Sequence, residues 1–182
     1  MRGTIFALLC IILSPSVIAD IDDASSDCST GIAESTPSSD FTAVGDGSIV
    51  RHETTGLEWQ RCMVGQTWDD SAGECEGPGD SMSWDEALAL GDSEAGWRLP
   101  NIKELYSIME DCTEQPVVNG NVFPAWPGVH DVGGWVWSSS PKADNSSQVW
   151  LGNFREGLTS TGNRGTGSSA AFLVRPAETY DD

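Results

Sequence analysis

Positive charge is what this chain has least of. Its 182 residues carry nine Lys and Arg against 28 Asp and Glu, a formal net charge of −19. Such a field repels phosphate backbones and anionic bilayers, so nucleic-acid binding and charge-driven membrane adhesion are excluded. Histidine is nearly missing too, with His52 and His130 far apart along the chain. There is no CxxC pair for zinc, and no nucleophile elbow, phosphate loop or metal-binding helix motif. Long apolar runs are lacking as well. The longest, residues 5–13, is too short to span a bilayer.

That short run has a use of its own. Arg2 precedes it, and Val17 and Ala19 are small residues spaced for signal-peptidase cleavage after Ala19. Leu9 stands before Cys10 where lipid attachment needs a small residue. Residues 1–19 therefore read as a signal peptide, and the chain is expected in the periplasm or outside the cell. Cys10 leaves with the signal. Cys28, Cys62, Cys75 and Cys112 remain, an even number in an oxidising compartment, which predicts two disulfides. Cys62–Cys75 closes a short loop around Gly-rich sequence, which leaves Cys28–Cys112.

The acidity is uneven. Residues 20–131 hold 23 acids and four bases, whereas residues 132–175 hold two acids and four bases. Residues 20–40 are rich in Ser, Asp and Thr and offer little to bury, so a loose or tethered segment is expected there. The folded domain is expected over residues 41–176, with an acidic tail over 177–182. A turn at Asp46-Gly47 leads into a strand, and "TTGLEWQRC" gives a second, with Leu57 and Trp59 on one face. Residues 63–82 read as a Gly-rich acidic loop. "SWDEALAL" predicts a short helix, because Ser83 and Glu86 have capping-box spacing. Asn101 and Glu104 repeat that spacing in "GWRLPNIKEL", with Pro100 just ahead of the helix start. An apolar stripe of Ile102, Leu105, Ile108 or Met109, and Cys112 carries this second helix to about Cys112.

Beyond Gly120 the pattern becomes short strands. "GWVWSSS" places Trp135 and Trp137 on one face, "VWLGNF" alternates, and "AAFLVRP" closes the domain as a last strand. Residues 141–147 and 159–169 read as polar loops. Eight tryptophans stand out in so small a chain, since Trp serves either as core or as a stacking platform. Trp59, Trp84 and Trp97 fit the core, as do Trp137 and Trp150. Trp126 and Trp135 are the candidates for exposure. Arg98 is expected in a buried ion pair with one of the many acids.

"TTGLEWQRCMVGQTWD", "MSWDEALAL", "GWRLPNIKELYSIME", "VFP", "WVWSSSP", "VWLGNF" and "FLVR" follow the order of a bacterial family. The chain resembles the C-terminal domain of the Legionella collagen-like adhesin, long described only as a domain of unknown function, over roughly residues 41–176. That resemblance implies an exported or surface binding module, in at least one member an adhesin for sulfated glycans. The motif order also looks like the C-type lectin-like fold of the formylglycine-generating enzyme and of retroelement-diversified receptors. The expected fold is thus α+β: a single C-type lectin-like domain with two short helices on small antiparallel sheets, stabilised by disulfides. Departures limit the transfer. Members often have Asp where His52 stands and a second Arg near Leu173. The acidity here argues against sulfated glycans. The lectin calcium motifs are missing, and so is the C-terminal cysteine pair of the sulfatase-activating enzymes.

The expected function is a non-enzymatic binding module for a glycan or a cell-surface protein. Its site is placed on the charge-relieved C-terminal third, in the loops after Ser140 and Gly157. Lys142, Asn145, Gln148, Asn153, Arg155, Asn163 and Arg164 would supply hydrogen bonds, and Trp126 or Trp135 a stacking face. No cofactor is expected. Asp69, Asp70, Glu74 and Glu76 offer oxygens to calcium, but without the alternating ligands and Gly of an EF-hand. An enzyme would need His130 beside a Ser from Ser138 to Ser140. A structural module of a surface appendage would need an exposed apolar patch.

Overall fold

The structure, a computed structural model, describes residues 28–29, 31–91, 96–125 and 133–177. The signal segment, Trp126, His130 and residues 178–182 of the tail lie outside the described residues. The architecture is α+β. A four-stranded antiparallel sheet has the order β1-β2-β3-β9, from Phe41–Val44, Ile49–His52, Leu57–Gln60 and Val174–Pro176. A three-stranded sheet runs β6-β7-β8, from Trp135–Lys142, Asn145–Asn153 and Leu158–Asn163. A small hairpin, β4 (Thr67–Asp69) and β5 (Glu74–Glu76), occupies the stretch read as loop. Two helices complete the set, α1 (Trp84–Leu90) and α2 (Ile102–Tyr106). Among the described residues no helix is long and apolar enough to cross a membrane.

Side-chain alternation explains the larger sheet. Val50, Trp59 and Val174 are partners across three strands and are fully buried. On the opposite face the same strands align Arg51, Glu58 and Arg175. Glu58 is 1 % exposed, and it accepts from Arg51 Nη2 at 2.8 Å and from Arg175 Nε at 2.9 Å. A carboxylate that deep persists only because two guanidinium groups replace its water. Phe123 ties the apolar face together, edge-on to Phe41, Trp59 and Phe172.

The two capping boxes form as their spacing predicts. Ser83 and Glu86 cap α1, and Asn101 and Glu104 cap α2. The second helix, however, stops at Tyr106 rather than near Cys112. Met109 leaves to bridge Val118, and the Glu110 N–H donates to Val117 O at 3.0 Å. Leu105, Ile108, Met109 and Cys112 are all buried, as the stripe requires, but beyond Leu105 through tertiary pairing rather than helix.

Three further expectations are refined. The 20–40 segment, expected to be loose or tethered, is packed over residues 35–40. Thr36 and Ser38 are buried, and the backbone and hydroxyls of Ser35 and Thr36 donate to the Glu110 carboxylate at 2.8 to 3.0 Å. A buried acid and four donors outweigh the segment's lack of apolar residues. The polar stretch from Thr159 is strand β8 up to Asn163. It is a sheet edge, so its outer positions need no apolar side chains. The last strand is only Val174–Pro176. Upstream the chain splits its hydrogen bonds between elements, accepting from Trp137 N at Ala170 O and from Val64 N at Ala171 O. Both predicted disulfides are present, Cys62–Cys75 and Cys28–Cys112.

Candidate functional site

The β6-β7-β8 sheet carries the described residues of the expected binding surface, and its register decides which of them meet. Lys142 is partnered with Asn145, and Gln148 with Asn163, at one end of the sheet. The Arg164 N–H donates to Ser147 O at 3.1 Å, which brings its side chain to the same end. Trp135 and Asn153 are partners at the other end, where the turn after Asn153 holds Arg155. Gln148 and Asn153 are five steps apart along β7, roughly 17 Å at the usual rise of ~3.4 Å per residue. One small ligand cannot touch both groups, and the single surface expected after Ser140 and Gly157 divides in two.

The Lys142 end is rich in donors. Asn145 and Asn163 each turn Oδ1 back to a backbone N–H two residues on, at 3.0 and 2.9 Å. Their amide N–H groups have no protein partner among the described residues, and neither does the Gln148 amide. Lys142 pairs loosely with exposed Asp144 at 3.3 Å. The exposed Arg164 guanidinium lies 5.8 Å from the Trp84 ring centroid.

The opposite end is more structural. Asn153 is 2 % exposed, and its Oδ1 accepts from Arg155 N at 2.8 Å and Glu156 N at 3.0 Å. It closes a turn and is withdrawn from ligand contact, contrary to expectation. Gly134 is fixed by a close approach. With φ +81°, a Cβ there would fall 2.6 Å from Arg155 Cβ. Trp135 is half-buried against the second core, and Trp150, expected inside, is half-exposed.

Other expectations resolve locally. Arg98 pairs bidentately with Glu104, at 2.7 and 2.6 Å, but the guanidinium is half-exposed rather than buried. Ser138 Oγ donates to Trp150 O at 2.7 Å, and Ser140 Oγ accepts from Ile102 N at 3.0 Å. Both hydroxyls are part of the sheet's own bonding. Among the described residues Cys28, Glu110 and Cys112 are the one group whose atoms could hold a metal. The disulfide consumes both sulfurs, and the hydrogen bonds of Ser35, Thr36 and Cys112 occupy the carboxylate.

Sequence reasoning missed a groove in the other half of the molecule. It has a volume of about 400 Å³, and Ile49, Gln60, Val64, Trp68, Trp97 and Leu173 are among its walls. The signal was present but scattered, since these residues come from five separate segments. Beneath Trp68, at 4.3 Å from its ring centroid, sits the Arg61 guanidinium. Arg61 donates to the carbonyls of Val122, Asn121 and Gly47, and burial pulls its pKa down to about 10.

A family model described as the Lcl C-terminal domain matches residues 48–176. No curated protein matches the chain.

Proposed function

The chain belongs to the family of the Lcl C-terminal domain, and on that premise we propose that it is an exported, non-enzymatic binding module. Its ligand is a glycan or a surface protein that presents several acceptor oxygens. The observation that carries this reading is the donor-rich end of the β6-β7-β8 sheet. There the strand register gathers Lys142, Asn145, Gln148 and Asn163 at one end, with Arg164 directly after β8, while the rest of the chain is strongly acidic. Hydrogen bonds from charged donors are the stronger ones, so Lys142 and Arg164 anchor and the amides select. Two disulfides fit an oxidising compartment, the periplasm or the cell surface. Two short helices with small antiparallel sheets are in keeping with a C-type lectin-like arrangement. That likeness concerns fold and leaves activity to the site. The roles of Ser138 and Ser140 in the sheet favour binding over catalysis.

The experiment is a glycan and surface-protein array with the purified chain, with and without calcium. Two variants separate the ends of the sheet. A Lys142→Ala/Gln148→Ala/Arg164→Ala variant is expected to lose array binding. A Trp135→Ala/Arg155→Ala variant that keeps its fold is expected to retain it. Loss only in the second variant sinks the assignment to the Lys142 end, and retention in both sinks the surface altogether.

A further inference from the structure

The groove between the β4–β5 hairpin and the β2–β3 hairpin has its own chemistry. Ile49, Val64, Leu90 and Leu173 make apolar walls, and Trp68 and Trp97 add aromatic ones. Its volume of about 400 Å³ falls in the usual range for sites that enclose a ligand. None of its described lining side chains is charged. Ser48 Oγ is already donated to Asp46 Oδ1 at 2.6 Å. The Gln66 amide is engaged by Met63 N at 3.3 Å and Gly77 O at 3.2 Å. Among the described lining side chains, the Gln60 amide and the Trp97 indole N–H are the polar groups without a protein partner.

The mouth is acidic. Asp46 accepts from the backbone of Ser48 at 3.0 Å, and its carbonyl takes the Trp68 indole N–H at 3.1 Å. Asp80 lies against the lining residue Gly65, where a Cβ would fall 2.6 Å from the Asp80 Cγ. Both carboxylates are on exposed residues. The nearby cations are engaged elsewhere: Arg61 with three carbonyls, and Arg175 with Glu58 and the Trp97 ring at 4.6 Å.

Each feature constrains the occupant. Apolar and aromatic walls call for an aromatic or branched aliphatic group. One open amide matches one peptide group. A sugar ring would carry several hydroxyls into a space whose uncommitted side-chain partners are one amide and one indole N–H, and unsatisfied hydroxyls oppose binding. Carboxylates at the rim favour cations beside the anchor. We propose that this groove docks a partner polypeptide, taking one aromatic or branched aliphatic side chain flanked by Lys or Arg. The site stands apart from the Lys142 end, so either assignment can fail without the other.

The test titrates the purified chain, labelled at methyl carbons, with acetyl-Lys-Phe-Lys-amide, acetyl-Glu-Phe-Glu-amide, acetyl-Lys-Ala-Lys-amide and a neutral trisaccharide of N-acetylglucosamine. The Lys-Phe-Lys peptide is expected to shift the methyl signals of Ile49, Val64, Leu90 and Leu173. It should bind at least about fivefold more tightly than the other two peptides, and an Asp46→Asn/Asp80→Asn variant should erase about fivefold of that affinity. The Asn side chain keeps the Ser48 turn, so the variant's fold is preserved. Equal affinity for the three peptides, shifts confined to other methyl groups, an unaffected double variant, or tighter binding of the trisaccharide overturns the proposal.

Discussion

His52 shows how far a single side chain can depart from its usual chemistry. It is 3 % exposed, stacked on Phe41 with ring centroids 4.6 Å apart, and its Nδ1 lies 3.1 Å from Thr55 Oγ1. Burial pushes its pKa below the ordinary value, and the charges of Asp40 and Glu53 offset only part of that. The unfolded chain therefore takes up a proton near pH ~6.5 that the native chain refuses. Stability from this residue is complete above that pH and declines as pH falls toward the depressed native pKa. Melting temperature is expected to drop between about pH 7 and about pH 5, before the paired carboxylates titrate. A His52→Phe variant, which keeps the aromatic stack, should lose that slope, and an unchanged slope would remove His52 as its source. The sequence marked Trp59, Trp84 and Trp97 as core because apolar periodicity is local. It gave no hint that Glu58 or Glu110 would be buried, because the second guanidinium on Glu58, from Arg175, and the Ser35 and Thr36 donors to Glu110 lie over seventy residues away.

At the scale of elements, capping chemistry is where local sequence speaks most directly. Helix α2 has only five residues and could not persist alone. Its start is held by Asn101 Oδ1, which accepts from Lys103 N at 2.9 Å and Glu104 N at 3.0 Å. Glu104 returns a bond to Asn101 N at 2.7 Å while also pairing with Arg98. Asn101→Ala is expected to cost about 1 kcal/mol. Glu104→Gln should cost more, about 2 kcal/mol after allowance for the half-exposed guanidinium, because it weakens two charge-assisted contacts at once. Urea denaturation midpoints measure both, and a smaller loss for Glu104→Gln would mean that the Arg98 pair adds nothing. Strand β8 marks the reverse situation. Its Thr and Ser residues give no apolar alternation to mark a strand, and it is a strand because β7 offers it an open edge.

At the scale of the molecule, the two disulfides have different reach. Cys62–Cys75 spans 13 residues and Cys28–Cys112 spans 84. In the chain-entropy account, removing the first is expected to cost about 3 kcal/mol and removing the second about 4.5 kcal/mol. Equilibrium unfolding of the Cys62→Ser/Cys75→Ser and Cys28→Ser/Cys112→Ser variants gives the comparison. A smaller loss for the longer loop would show that the strap over Glu110 undocks by itself while the domain stays folded. The strap also explains why the folded unit begins before β1: Cys28 and the Glu110 carboxylate hold residues that composition alone assigns to a tether.

What the sequence settled by itself was whatever depends on near neighbours. The helix starts at Ser83 and Asn101 and the inward tryptophans are readable in a line, because capping and alternation act over two to four residues. What only the tertiary structure decided was convergence. Sheet register sets Lys142 beside Asn145 and Asn163 beside Gln148 at one end and Trp135 beside Asn153 at the other, so the expected binding surface becomes two ends. Packing of five distant segments builds the groove beside Trp68 and Trp97. Neither outcome has a local cause, since each depends on which strands meet and in what register.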